Sequence, residues 1–157
     1  RVTITHKESE LQPTPNVQKF ADYEIEKGFN KIEKYTGWAD QVSKVNDEFA
    51  SKLLDLKKSG FKIAGFGASA KGNTLLNRAS LTTDIIDYIC DETPEKIQKF
   101  MTGSGIPIVN KQELLKNPPD YLIILSWNFS EEIIKKCREI GYLGKFVVPI
   151  PNVQIID

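Results

Sequence analysis

The chain has 157 residues, with 21 Lys and Arg against 21 Asp and Glu, 40% hydrophobic residues, one His and two Cys. Balanced charge excludes a dedicated nucleic-acid binder, which carries a basic excess, and so few His and Cys exclude a Cys-His metal cage. No run approaches the roughly 20 apolar residues of a membrane span, and the length suits one domain with an appendage.

Arg1 to Lys7 sets Val2, Ile4 and His6 against Thr3 and Thr5, the alternation of a half-exposed strand. The chain opens on Arg1 rather than Met inside that pattern, so a segment upstream is expected. His6, a lone histidine on a strand face, reads as structural. Glu8 to Pro15 is polar, carries Pro13 and Pro15, and reads as a linker. Helical spacing then places Val17, Phe20, Ala21, Ile25, Phe29 and Ile32 on one face, with Asn16 as N-cap. A break at Thr36-Gly37 is expected before a second stripe of Trp38, Val42, Val45, Phe49, Leu53 and Leu56, which stops at Gly60. This helical hairpin, residues 16–60, packs on the sheet that follows or on a missing domain, and an uncovered apolar face would promote homodimers.

From residue 61 apolar strands alternate with helices. Strands are expected at Lys62 to Phe66, Ile85 to Cys90, Ile106 to Val109, Tyr121 to Leu125 and Phe146 to Pro149, with an edge strand at Val153 to Ile156. Helices are expected at Lys71 to Ala79, Lys111 to Lys116 and Phe129 to Ile140. Strands that are apolar throughout predict a mainly parallel sheet covered on both faces, an α/β doubly wound, Rossmann-like domain over 61–157. Cys90 in a strand and Cys137 in a helix read as buried thiols, which suits a reducing, cytoplasmic setting.

The first strand runs into Gly65-x-Gly67-x-x-Ala70 and then a helix, the context in which backbone N–H groups at a helix N-terminus face a phosphate. In that reading Gly65 permits the sharp exit from the strand, Gly67 clears a Cβ where a pyrophosphate approaches, and Ala70 lets helix and strand pack closely. Ala68 and Gly72 complete the loop and first turn, Lys71 adds a charge, and Ser69, Asn73 and Asn77 add hydrogen bonds. The alternative is a glycine turn that only connects two packed elements. Ligands of doubly wound sheets bind outside the carboxyl ends of the strands. Asp91, 24 residues beyond Gly67, therefore stands either as the acid that holds a ribose hydroxyl or as a turn aspartate before Glu92-Thr93-Pro94. Trp127 is placed to stack on a base or sugar, and Asn128 either bonds a ligand or caps the next helix with Glu131. No Ser-His-acid set, no crevice histidine and no paired carboxylates accompany the loop, so the residues support binding and assign no catalytic group.

Gly-Phe-Gly-Ala-Ser-Ala-Lys-Gly-Asn-Thr-Leu-Leu-Asn (65–77), Asp91 with Pro94 and Lys96, Gly-Ser-Gly-Ile-Pro-Ile (103–108), Pro-Asp-Tyr (119–121), Trp127-Asn128 with Glu132-Ile133, and Lys-Phe-Val-Val-Pro-Ile-Pro (145–151) resemble, in that order, the C-terminal domain of nucleotide-sugar C-methyltransferases. The resemblance spans nearly the whole chain. It implies an upstream zinc-binding part and an upstream domain that binds S-adenosylmethionine and supplies the catalytic base. Residues 1–15 would then be the end of that core and its linker, and this chain, inactive alone, would close the cleft over a keto-deoxysugar carried on a nucleoside diphosphate, typically dTDP. The pattern departs at Asp91-Glu92-Thr93-Pro94, where the family has Asp-Arg-Asn-Pro, and the local charge is reversed. A free-standing nucleotide-sugar or dinucleotide-binding module without chemistry is the alternative.

Overall fold

The computed structural model describes residues 3–157, which form two compact units, Arg1–Gln41 and Val42–Asp157. In the first, residues 3–14 contain neither helix nor strand, so the strand expected from Arg1 to Lys7 is absent over its described part; Arg1 and Val2 lie outside the described residues. Helix α1, Pro15–Glu26, starts with Pro at its first position, where the missing N–H costs nothing, and Thr14 rather than Asn16 occupies the N-cap. Helix α2 is Ile32–Lys58. The break between the helices falls at residues 27–31, where Gly28 takes φ +74°, and α2 runs unbroken through Thr36-Gly37. Thr36 Oγ1 bonds back to the Ile32 carbonyl at 3.3 Å, satisfying its hydroxyl inside the helix.

The second unit is built on a sheet of six strands in the order β3-β2-β1-β4-β5-β6. Its strands are β1 Ile63–Phe66, β2 Ile89–Asp91, β3 Ile108–Asn110, β4 Tyr121–Ile124, β5 Lys145–Val148 and β6 Gln154–Ile156. β1 to β5 pair in parallel, and β6 closes one edge antiparallel to β5. The fold is therefore the expected α/β, Rossmann-like one. The second strand is shorter than its apolar run: the amides of Ile85 and Ile86 both bond to the Thr82 carbonyl, so the run begins in a turn and only its end joins the ladder.

Helices α3 Ala70–Arg78, α4 Glu113–Lys116 and α5 Ser130–Glu139 fill the crossovers. Residues alternate between two cores along each strand. Ile63, Ile123 and Val147 point into one core with Phe49 and Leu53 of α2 and Leu76 of α3. Ala64, Phe66, Leu122, Ile124 and Phe146 point into the other with Leu114 of α4 and Ile133 of α5. Burial on both faces is why the strands read as continuous apolar runs. The strand order reverses between β1 and β4, and at this switch point the carboxyl ends of both strands open toward the rim.

Candidate functional site

The glycine loop leaves β1 at the switch point. Gly67 has φ +92°, a conformation that favours glycine, and a Cβ there would lie 2.5 Å from Ser126 Oγ at the end of β4. Its small size thus serves the close approach of Ser126, on the side where the sequence pattern predicts a pyrophosphate. The close helix-to-strand packing assigned to Ala70 belongs to Gly72, whose Cβ would meet Leu125 Cβ at 2.7 Å, whereas Ala70 is exposed. Gly65 does pack tightly, with Ile89 Cδ1 2.5 Å from the place of a Cβ.

Most amides after Phe66 are already satisfied within the chain. Gly67 N–H donates to the Cys90 carbonyl at 2.7 Å, and Ser69 N–H to the Gly67 carbonyl at 2.8 Å. Ala68 N–H donates to Asp91 Oδ2 at 2.7 Å. Ser69 is the N-cap of α3, its Oγ accepting from Gly72 N–H at 3.1 Å and donating to the Leu125 carbonyl at 3.2 Å. Among the described residues, the amides left without a partner in this first turn are those of Ala70 and Lys71. The bare row expected after Phe66 is therefore reduced to two donors, displaced into the helix itself.

Asp91 is 6% exposed, and its carboxylate is engaged on both oxygens. Oδ1 accepts from Thr93 N–H at 2.8 Å, while Oδ2 accepts from Ala68 N–H and from Lys96 Nζ at 3.2 Å. Burial pushes its pKa up, but the hydrogen bonds from Thr93, Lys96 and Ala68 outweigh that and hold the carboxyl below the ordinary range. Of its two readings, the geometry realises the turn aspartate and adds a staple from β2 to the glycine loop. Nothing in the spacing signals the Lys96 contact. Asn77 is likewise occupied, its Nδ2 donating to the carbonyls of Asn73 at 2.8 Å and Thr102 at 2.9 Å, which fixes the 102–105 turn against α3. The Oδ1 of Asn73 is buried without a partner.

Trp127 begins a 3-10 turn, Trp127–Phe129, and is half-buried against both cores. Lys71 Nζ lies 4.9 Å from the centre of its ring, a cation–π contact across the switch point from α3. Asn128 makes no capping box with Glu131: the N-cap of α5 is Phe129, and no side chain caps it. Asn128 is exposed and lines, with Phe129 and Glu131, an open depression on the rim. The corner that remains available to a ligand is thus Ala70 and Lys71 on one side and Trp127 and Asn128 on the other. A family of C-methyltransferase C-terminal domains matches residues 1–151.

The chain belongs to that family. It is also 32% identical over 144 residues to the C-methyltransferase NovU of Streptomyces niveus, a match that covers 91% of this chain and 34% of NovU. The chain therefore spans about a third of the length of that relative. In this C-methyltransferase C-terminal domain the glycine loop and Asp91 build the rim, and the Lys71–Trp127 corner is its open part. Among the described residues no cluster of His, Cys, Asp and Glu could hold a metal, and no helix is long and apolar enough to cross a membrane.

Proposed function

We propose that the chain is the nucleotide-sugar-binding C-terminal domain of an S-adenosylmethionine-dependent sugar C-methyltransferase. The domain scheme is the end of the upstream methyltransferase core and a linker over 1–15, a helical hairpin over 16–60 and a Rossmann-like domain over 61–157. S-Adenosylmethionine, held by the upstream part, supplies the methyl group, and no residue here carries a catalytic step. The observation that supports the reading is the placement of Lys71. Its ammonium stands on the indole of Trp127 beside the two open amides of α3, so positive charge and an aromatic face converge at the switch point. A diphosphate would take the amides of Ala70 and Lys71 and the Lys71 ammonium, and Trp127 and Asn128 would meet the sugar or base. Gly65, Gly67, Ala68, Ser69, Gly72, Asn73, Asn77 and Asp91 hold this corner in shape.

Calorimetric titration of the chain with dTDP, UDP, NADH and S-adenosylmethionine tests the reading. Binding of dTDP or UDP, weakened about tenfold or more by Lys71→Ala through loss of a charge-assisted contact, is the expected result. Heat with none of the four overturns it. That outcome would favour a second reading, a module whose glycine loop serves packing alone, to which the internal use of the Gly67 and Ala68 amides already points.

A further inference from the structure

In the first unit, Val17, Phe20 and Ile25 of α1 and Ile32, Tyr35 and Trp38 of α2 are 47% to 72% exposed. None of the described residues 3–41 is buried, and α1 has no buried residue of its own. Helix α1, 12 residues with none buried, cannot hold by propensity alone, since an isolated helix of that length is marginal in water without tertiary packing. Large apolar side chains exposed together on neighbouring helices mark an interaction site. On α2 the exposed positions 35 and 38 lie on the same face as Phe49, Leu53 and Leu56, which are buried in the second unit. One stripe is therefore covered at its C-terminal end and uncovered at its N-terminal end.

We infer that this face is a docking surface for the upstream methyltransferase part of the same polypeptide, which rests on the reading that the chain is a C-terminal piece. Two observations select that occupant over a second copy. The family is a C-terminal domain, and the match covers only 34% of a relative's length, so a large partner precedes the face in the relative. The second is covalent linkage: a part joined in the same chain through a short flexible linker meets the face at an effective concentration near the millimolar range, far above that of a separate molecule. The aromatic anchors Phe20, Tyr35 and Trp38 are the residue types that carry interface energy.

The test compares backbone hydrogen exchange in this chain with that in the polypeptide as its gene encodes it. Expected is slow exchange over Pro15–Glu26 and residues 32–41 only in the longer polypeptide, independent of protein concentration. Phe20→Glu with Trp38→Glu should abolish that protection and leave exchange in β1 and β4 unchanged. Protection that disappears on dilution would assign the face to a second copy and overturn the inference. Fast exchange in the longer polypeptide overturns it as well. A gene that encodes no methyltransferase part upstream would instead remove the functional reading beneath it. Failure of dTDP or UDP to bind leaves this exchange pattern untouched.

Discussion

At the residue scale, Asp91 and Gly67 show how the glycine loop is held by its own chain. Asp91→Asn removes the charge that draws Ala68 N–H, Thr93 N–H and Lys96 together, and should cost about 1–3 kcal/mol in chemical unfolding at pH 7. The sign with pH follows from its depressed pKa. The unfolded chain, with a carboxyl near the ordinary value of about 3.9, takes up the proton first as pH falls. The stabilisation is therefore complete above that value and is lost as pH drops through the lower folded value. The loss of stability on acidification should be shallower in Asp91→Asn than in the parent, and equal slopes would show that the carboxylate does not anchor the loop. Gly67→Ala brings a Cβ onto Ser126 Oγ and forces alanine to φ +92°, with an expected loss of about 2 kcal/mol or more. Adding Ser126→Gly should restore only part, because the clash is relieved and the backbone strain is not. Full recovery would mean that the strain is negligible.

At the scale of elements, α2 separates two environments along one helix. Phe49 is fully buried between the helix and the sheet, and Phe49→Ala should cost about 3–5 kcal/mol in the isolated chain. Trp38 lies on the same helix face but is 61% exposed, and Trp38→Ala should change that stability by no more than about 0.5 kcal/mol. Urea midpoints of the two variants measure the contrast, and equal effects would show that the N-terminal end of the stripe is covered within the chain. The helix boundaries illustrate why local signals mislead here. Thr36-Gly37 looks like a stop because both residues are weak helix formers, but Thr36 satisfies its hydroxyl on the Ile32 carbonyl and the helix continues. The real stop is set by Gly28, whose positive φ the sequence cannot display. Asn128 and Glu131 have the spacing of a capping box, but the 3-10 turn from Trp127 moves the helix start past Asn128 and the box never forms.

At the scale of the whole molecule, the two cysteines report on the integrity of the second unit. Burial pushes Cys90 up to about 12 and Cys137 up to about 11, with the neighbouring Cys137 adding to the first and Glu92 to the second. Both thiols should resist alkylation by iodoacetamide at pH 8 while the sheet is intact, and label only in step with global unfolding. Labelling in native conditions would show that the core around α5 opens locally. The alternation of apolar strands with helices, the position of the glycine loop between β1 and α3, and the existence of an edge strand at the tail were legible from the chain, because each follows from local periodicity and from the need to cover both sheet faces; that the edge strand runs antiparallel was not. The carboxyl-end rule likewise brought Lys71, Asp91 and Trp127 to one rim. Which of the loop amides stay open, and that Asp91 turns inward to close one of them, depended on a backbone amide and a carboxylate 23 residues apart meeting in space. Spacing along a sequence carries periodicity and order, and these set the fold and the family. The choice between a group held for a ligand and a group spent on the chain's own hydrogen bonds is made by distances across the switch point, which exist only once β1, β2 and β4 lie side by side.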